Sequence, residues 1–222
     1  MKRTMRSSLI AAGAALLLTH CAPTGEVSLQ QPQELESVTN RTIAERAQEI
    51  YHSSEDLVLG NPSGKVTVVE FFDYNCGYCK RDIPEVAKLI KSDKDVRVVI
   101  KEFPILGPGS VFAAKAALAS GQQGKYLEFH TALNAIPGVK DENSVLRTAQ
   151  QIGLDVDKLK TDMEDQVVVD VIRRNYKIAK SLSISGTPTF VIDDTIEPSY
   201  APYKVLAQHV ASVRHTGGCK VC

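Results

Sequence analysis

Five cysteines are the residues of this chain best suited to chemistry: Cys21, Cys76, Cys79, Cys219 and Cys222. Cys76/Cys79 and Cys219/Cys222 share the spacing C-x-x-C, which leaves Cys21 unpaired. Two such pairs suit either one four-thiolate zinc site or two dithiol/disulfide couples. The surroundings of Cys76 favour the second. Lys65 to Asp73 (KVTVVEFFD) is rich in Val and Phe and follows the turn signal Gly60-Asn61-Pro62-Ser63-Gly64, so it reads as a buried strand. Ile83, Val86, Ala87, Leu89 and Ile90 then make a helical stripe. Cys76 stands where the strand ends and the helix begins. Backbone N–H groups and the positive end of the helix dipole favour an anion there, namely the Cys76 thiolate. A thiol of lowered pKa is the nucleophile, and Cys79, one turn further in, resolves its mixed disulfides. His52, His130, His209 and His215 are scattered without ligand spacing and read as surface or satisfied helix residues.

The whole chain bounds what surrounds this pair. A length of 222 residues suits one domain, or one domain with an insertion. Lys+Arg and Asp+Glu balance at 26 each, so charge makes no case for a nucleic-acid partner. No apolar run reaches the length of a membrane span. The N-terminus reads as an address: Lys2, Arg3 and Arg6 precede the short apolar run Leu9–Leu18, as in a secretory signal occupying 1–21. Leu18-Thr19-His20-Cys21 resembles a bacterial lipobox, in which Cys21 is acylated and anchors the chain to lipid. His20 departs from the small residue such a box carries, and ordinary cleavage near Cys21 or Ala22 is the rival. Export implies an oxidising compartment, the periplasm or cell envelope, where cysteine pairs persist.

Several elements must position the dithiol. Residues 22–58 read as a polar linker followed by a helix with a weak stripe, Leu35, Val38, Ile43, Ala47, Ile50 and Tyr51. That helix either packs on its own domain or, through 35–51, forms a homo-oligomer. Asp95–Glu102 (DVRVVIKE) reads as a second strand, parallel to the first in a right-handed βαβ unit. Helical segments follow at 110–120, 125–135, 143–152, 157–163 and 166–182, the first three stopped by Gly or Pro. Strand chemistry returns at Thr189–Ile192 after Gly186-Thr187-Pro188, with a turn at Asp193-Asp194. A last helix spans 203–214, and Thr216-Gly217-Gly218 reads as a flexible tail, 216–222, delivering Cys219 and Cys222. The plan is α/β, with a helical block between two strand-forming halves.

Phe71-Phe72-Asp73-Tyr74-Asn75-Cys76-Gly77-Tyr78-Cys79-Lys80, followed far downstream by Gly186-Thr187-Pro188-Thr189-Phe190, resembles the DsbA family of thiol–disulfide oxidoreductases, including its suppressor-of-copper-sensitivity and Com1-like relatives. The resemblance implies a thioredoxin-like fold over 59–215 with a helical insertion at about 107–183. It implies an active pair at Cys76 and Cys79, and a cis-proline at Pro188 preceded by Thr187, where substrate backbone pairs. It further implies a buried, thiol-tuning acid at Glu70. Glu70 could equally pair with Lys101, and Pro188 could be an ordinary trans proline entering a strand. The resemblance implies no organic cofactor and no metal. Its expected partners are exported client proteins with cysteines and a membrane redox partner. Gly77-Tyr78 lacks the Pro-His of the family's strongest oxidant, and Thr187 matches isomerase and reductase branches, so a less oxidising pair is expected. Cys219/Cys222 lies outside the family core; a structural disulfide, a second redox pair relaying electrons and a metal ligand set all remain open. Two readings from other classes stand beside this one: a redox-inactive surface lipoprotein with a structural disulfide, and a metal-binding protein.

Overall fold

A strand covered on both faces needs a near-continuous apolar run, and VTVVEFF supplies it: all of β2 (Val66–Phe72) is buried. The computed structural model describes residues 32–222. The signal segment, Cys21 and the first part of the linker lie outside the described residues. Ahead of β2 come α1 (Pro32–Glu45), α2 (Ala47–Tyr51) and β1 (Leu57–Gly60); after it come α3 (Gly77–Ser92) and β3 (Val96–Glu102). Five α-helices then intervene, α4 (Pro108–Ser120), α5 (Tyr126–Ala135), α6 (Glu142–Gln151), α7 (Val156–Asp162) and α8 (Gln166–Ser181). The chain closes with β4 (Thr189–Ile192), β5 (Thr195–Pro198) and α9 (Tyr203–His215). The sheet order is β1-β3-β2-β4-β5. β2 runs parallel to β3, and the remaining pairings are antiparallel. This is a thioredoxin-like α/β fold with an inserted helical block.

The two-residue period of the strands sorts the core into two layers. Val66, Val68 and Phe72 of β2, with Val98 and Ile100 of β3, face the layer holding Cys79, Val86 and Leu89 of α3. Val69, Phe71 and Val99 face the other layer, with Ile43, Ile50, Tyr51 and Ile178. The N-terminal stripe thus divides at Arg46. Ile43 of α1 and the second half of the stripe pack on their own domain, and the Tyr51 hydroxyl donates to the Asp193 carbonyl. β1 was not expected from the sequence: it is four residues long and ends at Gly60, which reads as a turn residue.

The same parity corrects one expectation. Glu70 faces α3, whereas Lys101 faces α2 and α8, so the two cannot pair across the sheet. Lys101 instead forms a fully buried ion pair with Asp56 and donates to the Glu49 carbonyl. The tail is also corrected. Gly217 and Gly218 take φ of +98° and +102°, a region open to glycine. They turn the chain back so that Lys220 N and Val221 N donate to Asp193 Oδ1 at 2.8 and 3.1 Å. The segment read as flexible is docked on the β4–β5 turn. Among the described residues, no helix is long and apolar enough to cross a membrane.

Candidate active site

Asp73, just past the end of β2, organises the turn that carries the nucleophile. Its Oδ1 accepts from Asn75 N at 2.7 Å. Its Oδ2 accepts from Ile105 N and Leu106 N at 2.8 and 3.0 Å, and its carbonyl accepts from Cys76 N. One carboxylate thereby ties the Cys76 turn to the loop after β3. Tyr74 is pinned from the helical block: its hydroxyl donates to Glu102 Oε1 at 3.0 Å and accepts from His130 Nδ1 at 2.8 Å. Tyr126 donates to the same Glu102 oxygen at 2.9 Å. Burial pushes the Glu102 carboxyl up to about 8 and the His130 imidazole down to about 4. His130 is therefore a satisfied core histidine, held neutral.

Cys76 caps α3. Its Sγ accepts from Cys79 N at 3.2 Å, and its thiol donates to the Thr187 carbonyl at 3.1 Å. Its thiol is lowered from 9.0 to about 6, first by the Cys79 side-chain hydrogen bond. The Thr187 side chain and the Cys79 and Tyr78 backbone N–H groups also lower it, against the opposing effect of burial. The buried Thr187 hydroxyl has no hydrogen-bond partner of its own. Cys79 is inverted in every respect: it is fully buried, and burial, the Cys76 contact and the Glu70 charge drive its thiol far up. Near pH 7 the pair is a thiolate over a thiol. Cys76 is only 5% accessible, because the Thr187 loop lies over its sulfur.

Glu70 lies beneath the pair, 3% exposed, with Oε1 lacking a hydrogen-bond partner. Burial first, then the charges of Asp82 and Cys76, raise its carboxyl well above the ordinary range. Asp82 is an acid the sequence reading missed. It shares the buried face of α3 with Cys79, Val86 and Leu89, and burial pushes it up to about 7. The signal was present: an aspartate in an otherwise apolar stripe three residues after Cys79. Its Oδ1 accepts from Ala201 N at 3.1 Å, which joins α3 to the start of α9.

The Thr187–Pro188 bond is cis. A cavity of about 420 Å³ opens beside it, lined by Tyr78, Ile184, Gly186, Thr187, Pro188 and Ser199 among others. Arg81 extends this surface, with its guanidinium 5.4 Å from the Tyr78 ring centre and 4.8 Å from that of Tyr200. Neither Arg81 nor Tyr200 carries a sequence signal. Cys219 and Cys222 form a disulfide remote from this site. Cys76 sits past one end of β2, and the tail docks at Asp193, past the opposite end, where β4 runs antiparallel. The two pairs therefore cannot make one four-thiolate metal site.

A thioredoxin-like fold that offers a thiolate at a helix N-terminus, over a buried thiol and beside a cis-proline loop, defines a dithiol-bearing class. The model of the DSBA-like thioredoxin domain matches residues 67–211, and the chain belongs to that family. A thioredoxin-like oxidoreductase from Silicibacter pomeroyi is 46% identical with a TM-score of 0.74, over 76% of this chain and 97% of that one. A periplasmic thioredoxin-like protein from Salmonella enterica serovar Typhimurium is 28% identical with a TM-score of 0.66, over 74% and 93%. Among curated proteins, Na(+)/H(+) antiporter NhaA 3 of Salinispora tropica is 32% identical over 158 residues, 70% of this chain but only 24% of the antiporter.

Proposed function

We propose that this chain is an exported protein thiol–disulfide oxidoreductase that forms or rearranges disulfides in client proteins. The observation that carries the reading is the Cys76 sulfur at the α3 N-terminus, which accepts from Cys79 N beside the cis-proline loop and over a buried Cys79. A structural disulfide has no use for a stabilised thiolate. In oxidation, a client thiolate attacks the Cys76 sulfur of the Cys76–Cys79 disulfide. A client–Cys76 bond forms, and Cys79 leaves and takes up a proton, as its raised thiol pKa requires. A second client thiolate then attacks the client sulfur. Cys76 leaves as its stabilised thiolate, and two electrons have passed to the pair. In rearrangement, the Cys76 thiolate attacks a client disulfide first, and Cys79 or another client thiol resolves the mixed species. Glu70 is the carboxyl placed to hold or receive the Cys79 proton. No step needs an organic cofactor or a metal.

Client backbone docks along Thr187 and Pro188, and the cavity beside Tyr78 receives a client side chain. The charged and apolar N-terminal segment supports export to the periplasm or cell envelope, with Cys21 as an acylation site and a membrane protein as the redox partner. Ile43, Ile50 and Tyr51 of the 35–51 segment are taken up by the domain's own core, so a homo-oligomer through this segment uses the part ahead of Ile43, where Val38 is exposed. The deciding experiment uses single cysteine variants in cells. Cys79→Ser should accumulate mixed disulfides with client proteins, and Cys76→Ser should accumulate none. The reverse pattern, or none with either, would overturn the assignment.

A further inference from the structure

The tail disulfide has an environment opposite to that of Cys76. Cys219 Sγ lies 3.5 Å from Asp193 Oδ1, the oxygen that also receives Lys220 N and Val221 N. Asp193 is buried, at 2% exposure. The tail's one cation, Lys220, turns away to Asp194 at 3.1 Å. A carboxylate at this distance disfavours a thiolate on Cys219, whereas Cys76 has N–H donors that favour one. The two amides held by Asp193 are those of the residues between the cysteines. They fix the tail in the arrangement that brings both sulfurs together. Stabilising a thiolate makes a pair more oxidising; penalising it and pre-organising the disulfide make a pair more reducing.

Position decides how the two pairs can meet. Cys76 contacts Thr187, and six extended residues further on the chain reaches Asp193, roughly 20 Å away. While Asp193 holds the Lys220 and Val221 amides, the tail sulfurs stay that far from Cys76 of their own molecule. α9 ends beside the far end of α3, where Arg214 pairs with Asp93 at 2.9 Å. The length of α3 puts that point about 24 Å from Cys76. Undocked, the five residues from Arg214 to Cys219 would span at most about 18 Å and the eight to Cys222 about 29 Å, so it is the docked tail that meets Cys76 only on another molecule.

We propose that Cys219 and Cys222 are a second redox site, more reducing than Cys76/Cys79, whose dithiol is oxidised by the Cys76–Cys79 disulfide of a second copy of this chain. The inference rests on the reading of Cys76/Cys79 as a redox pair. Cys219 loses its proton and attacks the Cys76 sulfur of the other molecule. A Cys219–Cys76 bond forms as the Cys76–Cys79 bond breaks, and Cys79 takes up a proton. Cys222 then loses its proton and attacks the Cys219 sulfur, and Cys76 leaves as a thiolate. The tail gains its disulfide, and two electrons reside on the other molecule's Cys76/Cys79. The tail is thus a resident substrate, and its disulfide fastens residues 219–222 to the turn that also receives Tyr51.

Two full-length proteins test this, each also carrying Cys21→Ser. One keeps only the tail pair (Cys76→Ser/Cys79→Ser), the other only the active pair (Cys219→Ser/Cys222→Ser). Equilibrated in glutathione buffers and read by alkylation and mass, the tail pair should stay oxidised at [GSH]²/[GSSG] at least about tenfold higher than the active pair tolerates. Adding Asp193→Asn to the tail-only protein should lower that value at least about threefold and speed Cys219 alkylation near neutral pH. Reduced tail-only protein mixed with oxidised active-pair protein should gain its disulfide at a rate proportional to each concentration. An equal or inverted order of the two pairs, or no effect of Asp193→Asn, would overturn the inference. So would the absence of transfer. A reduced dicysteine peptide run in parallel tells the two failures apart: if it is oxidised while the tail is not, only this inference falls; if neither is oxidised, the reading of Cys76 falls with it.

Discussion

Removing Cys76 should cost the reduced protein stability in a way that depends on pH, and the site's geometry sets both sign and size. The Cys76 thiol drops from 9.0 to about 6 on folding, chiefly through its hydrogen bond with Cys79. A depressed pKa stabilises the fold fully above the unfolded value, and the gain is lost as pH falls through the folded value. The window therefore runs from about pH 9 down to about pH 6. A tenfold change in the thiol's acidity is worth about 1.4 kcal/mol, so the full effect above pH 9 is about 4 kcal/mol. At pH 7 the thiolate contributes about 1.4 kcal/mol, and at pH 5 almost nothing. Urea unfolding of the reduced protein and of Cys76→Ser at pH 5, 7 and 8.5 should show a stability difference that widens across the series. Thiolate absorbance at 240 nm should report the same midpoint. A difference flat with pH, or a Cys76 midpoint at 8 or above, would refute the claim that the α3 terminus and its neighbours hold a thiolate.

Three further outcomes follow from the surroundings. Glu70→Gln should slow release of client by Cys79 roughly 10-fold or more and remove an ionisation from its pH profile, measured by stopped-flow resolution of a preformed mixed disulfide. Lys101→Met leaves the buried Asp56 with only Arg174, 3.9 Å away, and should cost about 3 kcal/mol in urea unfolding, with Cys76 reactivity kept in the molecules that stay folded. Tyr74→Phe leaves His130 Nδ1 unpaired and Glu102 with Tyr126 alone. It should cost about 1–3 kcal/mol, read by the same urea unfolding.

What the sequence by itself determined is local. A Val- and Phe-rich run, a cysteine at its end and an apolar helical stripe after it place Cys76 at a helix N-terminus, because strand and helix periods are written in consecutive residues. Gly and Pro marked the ends of the first three helices of the block for the same reason. The pairing of distant groups was decided only by the tertiary structure. The Thr187 carbonyl that meets the Cys76 sulfur lies 111 residues downstream; the family resemblance brought Thr187-Pro188 to the site, but the local pattern of neither segment specifies that contact. Lys101 stands one register step from Glu70 and looks like its partner in the sequence. The β2–β3 register turns them to opposite faces and gives Lys101 to Asp56. The tail shows the same limit. Two glycines read as flexibility, yet the buried Asp193 carboxylate gathers two tail amides, and a run of local disorder signals becomes a docked segment. Sheet register and chain return bring these groups together, and both depend on the packing of the whole domain.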